Sequence, residues 1–159
     1  MRDFDWENLV RRYVWDDTRT PYFTRVARLN RVQACYELHA YAILVGALFG
    51  VAAVASLSSK LPHGNAAIVP LYAFTVVCAA ILLGLTRHYW AAVWCAAAPL
   101  GALAYFAFYG FHPALAPVER IVMVAVVLAW LAYGLRVIAI ARAFPTLPEP
   151  ATPEPPRRR

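Results

Sequence analysis

Charge is scarce where the chain is longest and most apolar: between Leu38 and Leu135 the only ionic side chains are Lys60, Arg87, Glu119 and Arg120. A soluble fold of 159 residues leaves too much of its surface in water to hide such a stretch. Charged residues are 15% of the sequence, against roughly 25% in ordinary soluble domains. Paired cysteines are missing as well. Cys35, Cys78 and Cys95 form no C-x-x-C motif, which excludes a disulfide frame and the four-span type of quinone-linked thiol oxidoreductase, whose cysteines come in pairs. They are expected to be small buried thiols. There is no Gly-rich phosphate loop, no G-x-S-x-G and no intramembrane carboxylate pair, so neither an enzyme nor a cofactor is expected. A basic domain is absent too. The net charge of +6 lies mostly in arginines near the two ends, which fits anionic lipid headgroups and argues against nucleic acid.

What remains is hydrophobic, 62% of the chain. A helix needs about 20 apolar residues to cross the hydrocarbon layer. The four charges divide the middle of the sequence into blocks of that size. The expected fold class is all-α: an integral membrane four-helix antiparallel bundle, with an N-terminal amphipathic interfacial helix and a disordered proline-rich C-terminal tail. Residues 1–33 form the cytoplasmic interfacial segment in this reading. Residues 34–142 form the bundle, with spans at about 36–57, 68–86, 90–111 and 121–141. Residues 143–159 form the tail.

Within the first segment, Trp6, Leu9, Val10, Tyr13 and Val14 recur at helical spacing, the pattern of a helix lying on lipid or on a partner protein. Thr24 is a candidate cap for a second short helix. Arg25, Arg28 and Arg31 then make a basic stripe expected to face lipid headgroups. Pro99 falls inside the third span, where it frees the carbonyl of Cys95 and is expected to kink the helix. From Phe144 onward six prolines precede Arg157-Arg158-Arg159, a composition that does not form a compact fold.

Orientation follows from counting. With both termini cytoplasmic, thirteen of the fifteen basic residues lie inside and only Lys60 and Arg120 outside, as the positive-inside rule requires. No cleavable signal peptide is expected, since Asp3, Asp5 and Glu7 interrupt the first residues. A bacterial inner membrane is the expected location.

Two charges stand at matched depth. Glu37 lies about one turn inside the first span and Arg136 about one turn inside the fourth, so a salt bridge joining the two helices is expected. The second reading of Glu37 is a proton- or cation-coupled site. That role is similar to the one in small four-span multidrug transporters, which carry one essential glutamate in the first helix. There the glutamate lies deeper, the chains are shorter, and the N-terminal region is absent.

His39, His63, His88 and His112 have no acidic or cysteine companions at metal-ligand spacing, and no metal is expected. Gly46 and Gly50 form G-x-x-x-G, a small-residue face for helix packing or a homodimer. The functional expectation is a non-catalytic accessory or scaffold subunit of a membrane complex, with a small Glu37-coupled transporter as the alternative.

Overall fold

The computed structural model describes residues 24–57 and 67–149, and among these every regular element is helical. The long helices are α1 (Arg31–Ala55), α2 (Ile68–Thr86), α3 (Tyr89–Tyr109) and α4 (Pro117–Ala143). They contain 25, 19, 21 and 27 residues, or roughly 28 to 40 Å at 1.5 Å per residue. All four are long and apolar enough to cross a membrane. Their outward faces agree: Ile43, Val51, Val54, Leu85, Trp90, Phe108 and Ile121 are all exposed.

Local chemistry sets the boundaries. Asn30 Oδ1 accepts from the Gln33 amide at 2.8 Å, and Gln33 Oε1 accepts from the Asn30 amide at 3.0 Å. This reciprocal cap starts α1 at Arg31, earlier than the 36 expected from hydropathy. Hydropathy alone does not register such a cap. At α4, Pro117 occupies the first turn and Glu119 Oε2 accepts from the Ala116 amide at 2.8 Å, so that helix also begins before the expected 121. Gly110, with φ of 76°, ends α3 at Tyr109. Arg87 ends α2 in the left-handed region, φ 54°. Its amide donates to the Leu83 carbonyl at 2.9 Å, and α3 starts two residues later.

Three expectations need correction. The short helix expected after Thr24 is a single 3-10 turn, and the arginines of the stripe lie in three different local conformations. Arg25 is extended, Arg28 closes a 3-10 turn (Val26–Arg28), and Arg31 opens α1. Asn30, not Thr24, provides the cap. The tail does not become disordered at residue 143, because Phe144–Thr146 forms a second 3-10 turn and the chain then lies back on α1. The Pro148 carbonyl accepts from the Arg31 amide at 2.9 Å, filling one of the backbone donors that a helix start leaves open. Finally, only Cys95 is a buried thiol; Cys35 is half-buried and Cys78 exposed. The expected interfacial helix bearing Trp6, Leu9, Val10, Tyr13 and Val14, together with His63 and the tail from Pro150, lies outside the described residues.

The core is concentrated at one end. Leu29, Ala34, Leu38, Val45, Leu83, Ala92, Cys95, Val137 and Ile140 are buried together. Small residues let the helices approach there. A Cβ on Gly46 would lie 3.5 Å from that of Ala80, and one on Gly84 3.7 Å from that of Ala42. The tightest approach joins α3 to α4, where a Cβ on Gly134 would lie 2.9 Å from Ala96 Cβ and 3.2 Å from its backbone. Towards the other end burial falls away. In the first half of α4 only Val127 is buried, and the helices pack more closely within the pairs α1–α2 and α3–α4 than between them.

Candidate functional site

Glu37 and Arg136 occupy the tight end. Glu37 lies six residues into α1 and Arg136 seven before the end of α4, so each is about 10 Å from its helix terminus. The structure brings them together in a fork-to-fork pair. Arg136 Nε donates to Glu37 Oε1 at 2.6 Å and Nη2 donates to Oε2 at 3.0 Å. Tyr133 adds its hydroxyl to Oε1 at 2.8 Å. The third guanidinium nitrogen, Nη1, donates to the Thr24 carbonyl at 2.6 Å. Thr24 thus contributes as a backbone acceptor ahead of α1. Glu37 is 4% exposed, and both its oxygens are occupied. Burial of two ions is tolerated when every donor and lone pair finds a partner in this way.

The site also binds α1 to α4 through rings. Tyr41 and Tyr133 lie 5.9 Å apart between centroids, and Phe49 and Trp130 6.2 Å. Tyr41 turns its hydroxyl to a third helix, donating to the Cys95 carbonyl of α3 at 3.3 Å. The buried indole N–H of Trp130 makes no hydrogen bond of good geometry, although the Tyr41 hydroxyl lies within its electrostatic reach. The hydroxyl of Thr75, on α2, donates back to the Tyr72 carbonyl at 2.8 Å.

A second cluster lies beside the first. Arg87 Nη2 donates to Cys35 Sγ at 3.1 Å, and Cys35 Sγ is 3.8 Å from His39 Nδ1. The guanidiniums of Arg31 and Arg87 lie 5.5 and 5.9 Å from the centre of the Phe144 ring. Arg31 also pairs with Glu149 at 3.4 Å, in the open. Arg31 therefore holds the returning chain, while Arg25 and Arg28 remain exposed. Among the described residues, no three His, Cys, Asp or Glu side chains group together to hold a metal ion. His88 and His112 are both exposed, and His112 Nδ1 accepts from the Ala114 amide at 3.3 Å.

The remaining sequence candidates are separated. Gly46 packs inside the bundle against α2, whereas nothing lies within 4 Å of a Cβ built on Gly50. The two glycines do not share a contact within the chain. Pro99 is buried, and α3 continues through it as one helix. Sequence reasoning missed Tyr133 and Gly134. Tyr133 was open to inference, since it precedes Arg136 by three residues and so shares its helix face. No protein-family model, characterised protein or solved structure matches this chain.

Proposed function

We propose that the chain is an integral membrane protein that serves as a non-catalytic accessory or scaffold subunit, built as an antiparallel four-span bundle with both termini cytoplasmic. The observation that carries this reading is the complete occupation of Glu37: Arg136 and Tyr133 together use both carboxylate oxygens. A carboxylate locked this way ties two helices together and is poorly placed to bind and release an ion. The direction of the helices is supported by contacts that run in opposite order along α1 and its neighbours. Gly46 meets Ala80 while Ala42 meets Gly84. Glu37 meets Arg136 while Phe49 meets Trp130. Cytoplasmic termini are supported by the distribution of arginine, and a bacterial inner membrane is the setting we assign.

The partners in this reading are anionic headgroups, met by Arg25 and Arg28, and another membrane protein or a second copy, met by residues 1–33. Purification in a gentle detergent, with mass spectrometry of the companions, tests it. A defined companion is expected, and deletion of residues 1–23 removes it. The transporter alternative predicts proton- or cation-coupled flux in vesicles that depends on Glu37 and survives the same deletion. Such flux would replace the scaffold reading.

A further inference from the structure

At the end of the bundle opposite Glu37, the two helix pairs part around an open cavity of about 750 Å³. It reaches from Phe49 and Gly101 at its inner end to Ser56 of α1, Ile68 of α2 and Tyr109 of α3. That is about 12 Å along the helix axes, well under half of a hydrocarbon layer about 30 Å thick. All four helices contribute aromatic walls: Phe49, Tyr72, Tyr105, Phe108 and Trp130 line it. Tyr72 is held at the wall by Gly101, because a side chain at that position would meet its ring.

The lining excludes most occupants. It is almost entirely carbon, so neither water nor a polar solute finds the two to four hydrogen-bond partners it needs. The buried polar hydrogens at the wall are turned away from a ligand: the Ser56 hydroxyl donates to the Ala53 carbonyl at 2.8 Å, and Trp130 Nε1 is sealed from the surface. An unfilled space of this size forfeits the dispersion contacts of every atom around it.

We infer that this cavity is a binding site for the hydrocarbon part of a single lipid, whose polar head stays at the membrane surface near Tyr109. The chemistry is that of acyl or polyisoprenyl chains. The aromatic walls accept either, and the carbon lining suits both. The inference rests on the membrane-spanning part of the proposed function and is independent of the scaffold role.

The test uses the full chain in phosphatidylcholine vesicles, with two photoreactive probes that bear a diazirine near the chain end. One is a phosphatidylcholine and the other a polyprenyl phosphate. Expected is saturable labelling at one probe per chain, mapped to the residues that line the cavity and competed by the unlabelled parent of the preferred probe. Ala52→Trp and Ala104→Trp, which each fill the cavity, should reduce it at least tenfold. Ala125→Trp on the exposed face of α4 should leave it unchanged. The two tryptophan substitutions occupy open positions on different helices, so a folding failure of one leaves the other to decide. Labelling that does not saturate, or that the filled variants retain, overturns the site. So does a second copy of the chain crosslinked into the cavity. A chain that fails to insert into the vesicles overturns the membrane reading and the site together, whereas an inserted chain labelled evenly over its outward faces overturns the site alone.

Discussion

The hydroxyl of Tyr41 reaches across to the carbonyl of Cys95, 3.3 Å away, and Cys95 is the residue four before Pro99. Proline has no amide hydrogen to give that carbonyl, and a bare carbonyl in an apolar interior is costly. A tyrosine on α1 supplies the hydrogen bond that α3 lacks. The two residues therefore act as one unit. Tyr41→Phe should destabilise the bundle by about 1 kcal/mol, the usual scale of a hydrogen bond within a membrane bundle. With Pro99→Ala in the background, residue 99 can donate to Cys95 itself, and the cost of Tyr41→Phe should shrink. Reversible unfolding of the four proteins in the cycle measures the coupling. Equal costs in both backgrounds would mean that the hydroxyl serves another purpose.

The Glu37–Arg136 pair leads to a second expectation. Removing Arg136 leaves Glu37 buried and charged, which costs about 3 to 5 kcal/mol for well-buried pairs, whereas removing Glu37 strands a half-buried guanidinium. Glu37→Gln and Arg136→Gln should each lower the unfolding midpoint strongly. Exchange of the two charges, Glu37→Arg with Arg136→Glu, should recover a clear part of the loss. Tyr133→Phe should cost about 1 kcal/mol, since it removes one of three donors. Thermal unfolding in detergent separates these outcomes. Two single variants as stable as the parent would exclude a structural role for the pair.

Much of this was legible in the sequence, and the reasons differ by feature. The apolar blocks were legible as helices because a helix satisfies its backbone within one continuous apolar segment, whereas barrel strands alternate in polarity. Matched depth in the first and last spans was enough to pair Glu37 with Arg136. Helix ends were less legible, because Asn30 with Gln33 and Ala116 with Glu119 set them through hydrogen bonds to which hydropathy is blind. The residues after Ala143 looked too rich in proline to fold. Yet Phe144 and Pro148 need only a surface to lie on, and the arginines of another segment provide it. Gly46 and Gly50 looked equivalent by spacing; only the position of α2 distinguishes the first from the second.

The returning chain gives a third expectation. Two guanidiniums lie against Phe144, and such contacts contribute about 0.5 to 1 kcal/mol each at exposed sites. Phe144→Ala should therefore weaken the hold on residues 144–149 and speed proteolytic cleavage there. Glu149→Gln should have little effect, because its pair with Arg31 is open to water and exposed pairs contribute little. Limited proteolysis with mass spectrometry ranks the variants. Equal cleavage of parent and Phe144→Ala would show that the ring does not anchor this segment.

Glycine substitution tests the packing directly. Replacing glycine by alanine within a helix gains about 1 kcal/mol in propensity, so the sign of the result reports the space available. At Gly50 nothing lies within 4 Å of the new methyl group, and Gly50→Ala should be neutral or mildly stabilising. At Gly134 the methyl would press on the Cβ and the backbone of Ala96 at 2.9 and 3.2 Å. Backbone does not yield as a flexible side chain does, and overpacking costs about 1 to 3 kcal/mol. Gly134→Ala should therefore destabilise the contact between α3 and α4 in spite of its better propensity. Measured together, the two substitutions should move the unfolding midpoint in opposite directions, or Gly134 alone should lower it. A stabilising Gly134→Ala would mean that these helices stand further apart than their closest contact requires.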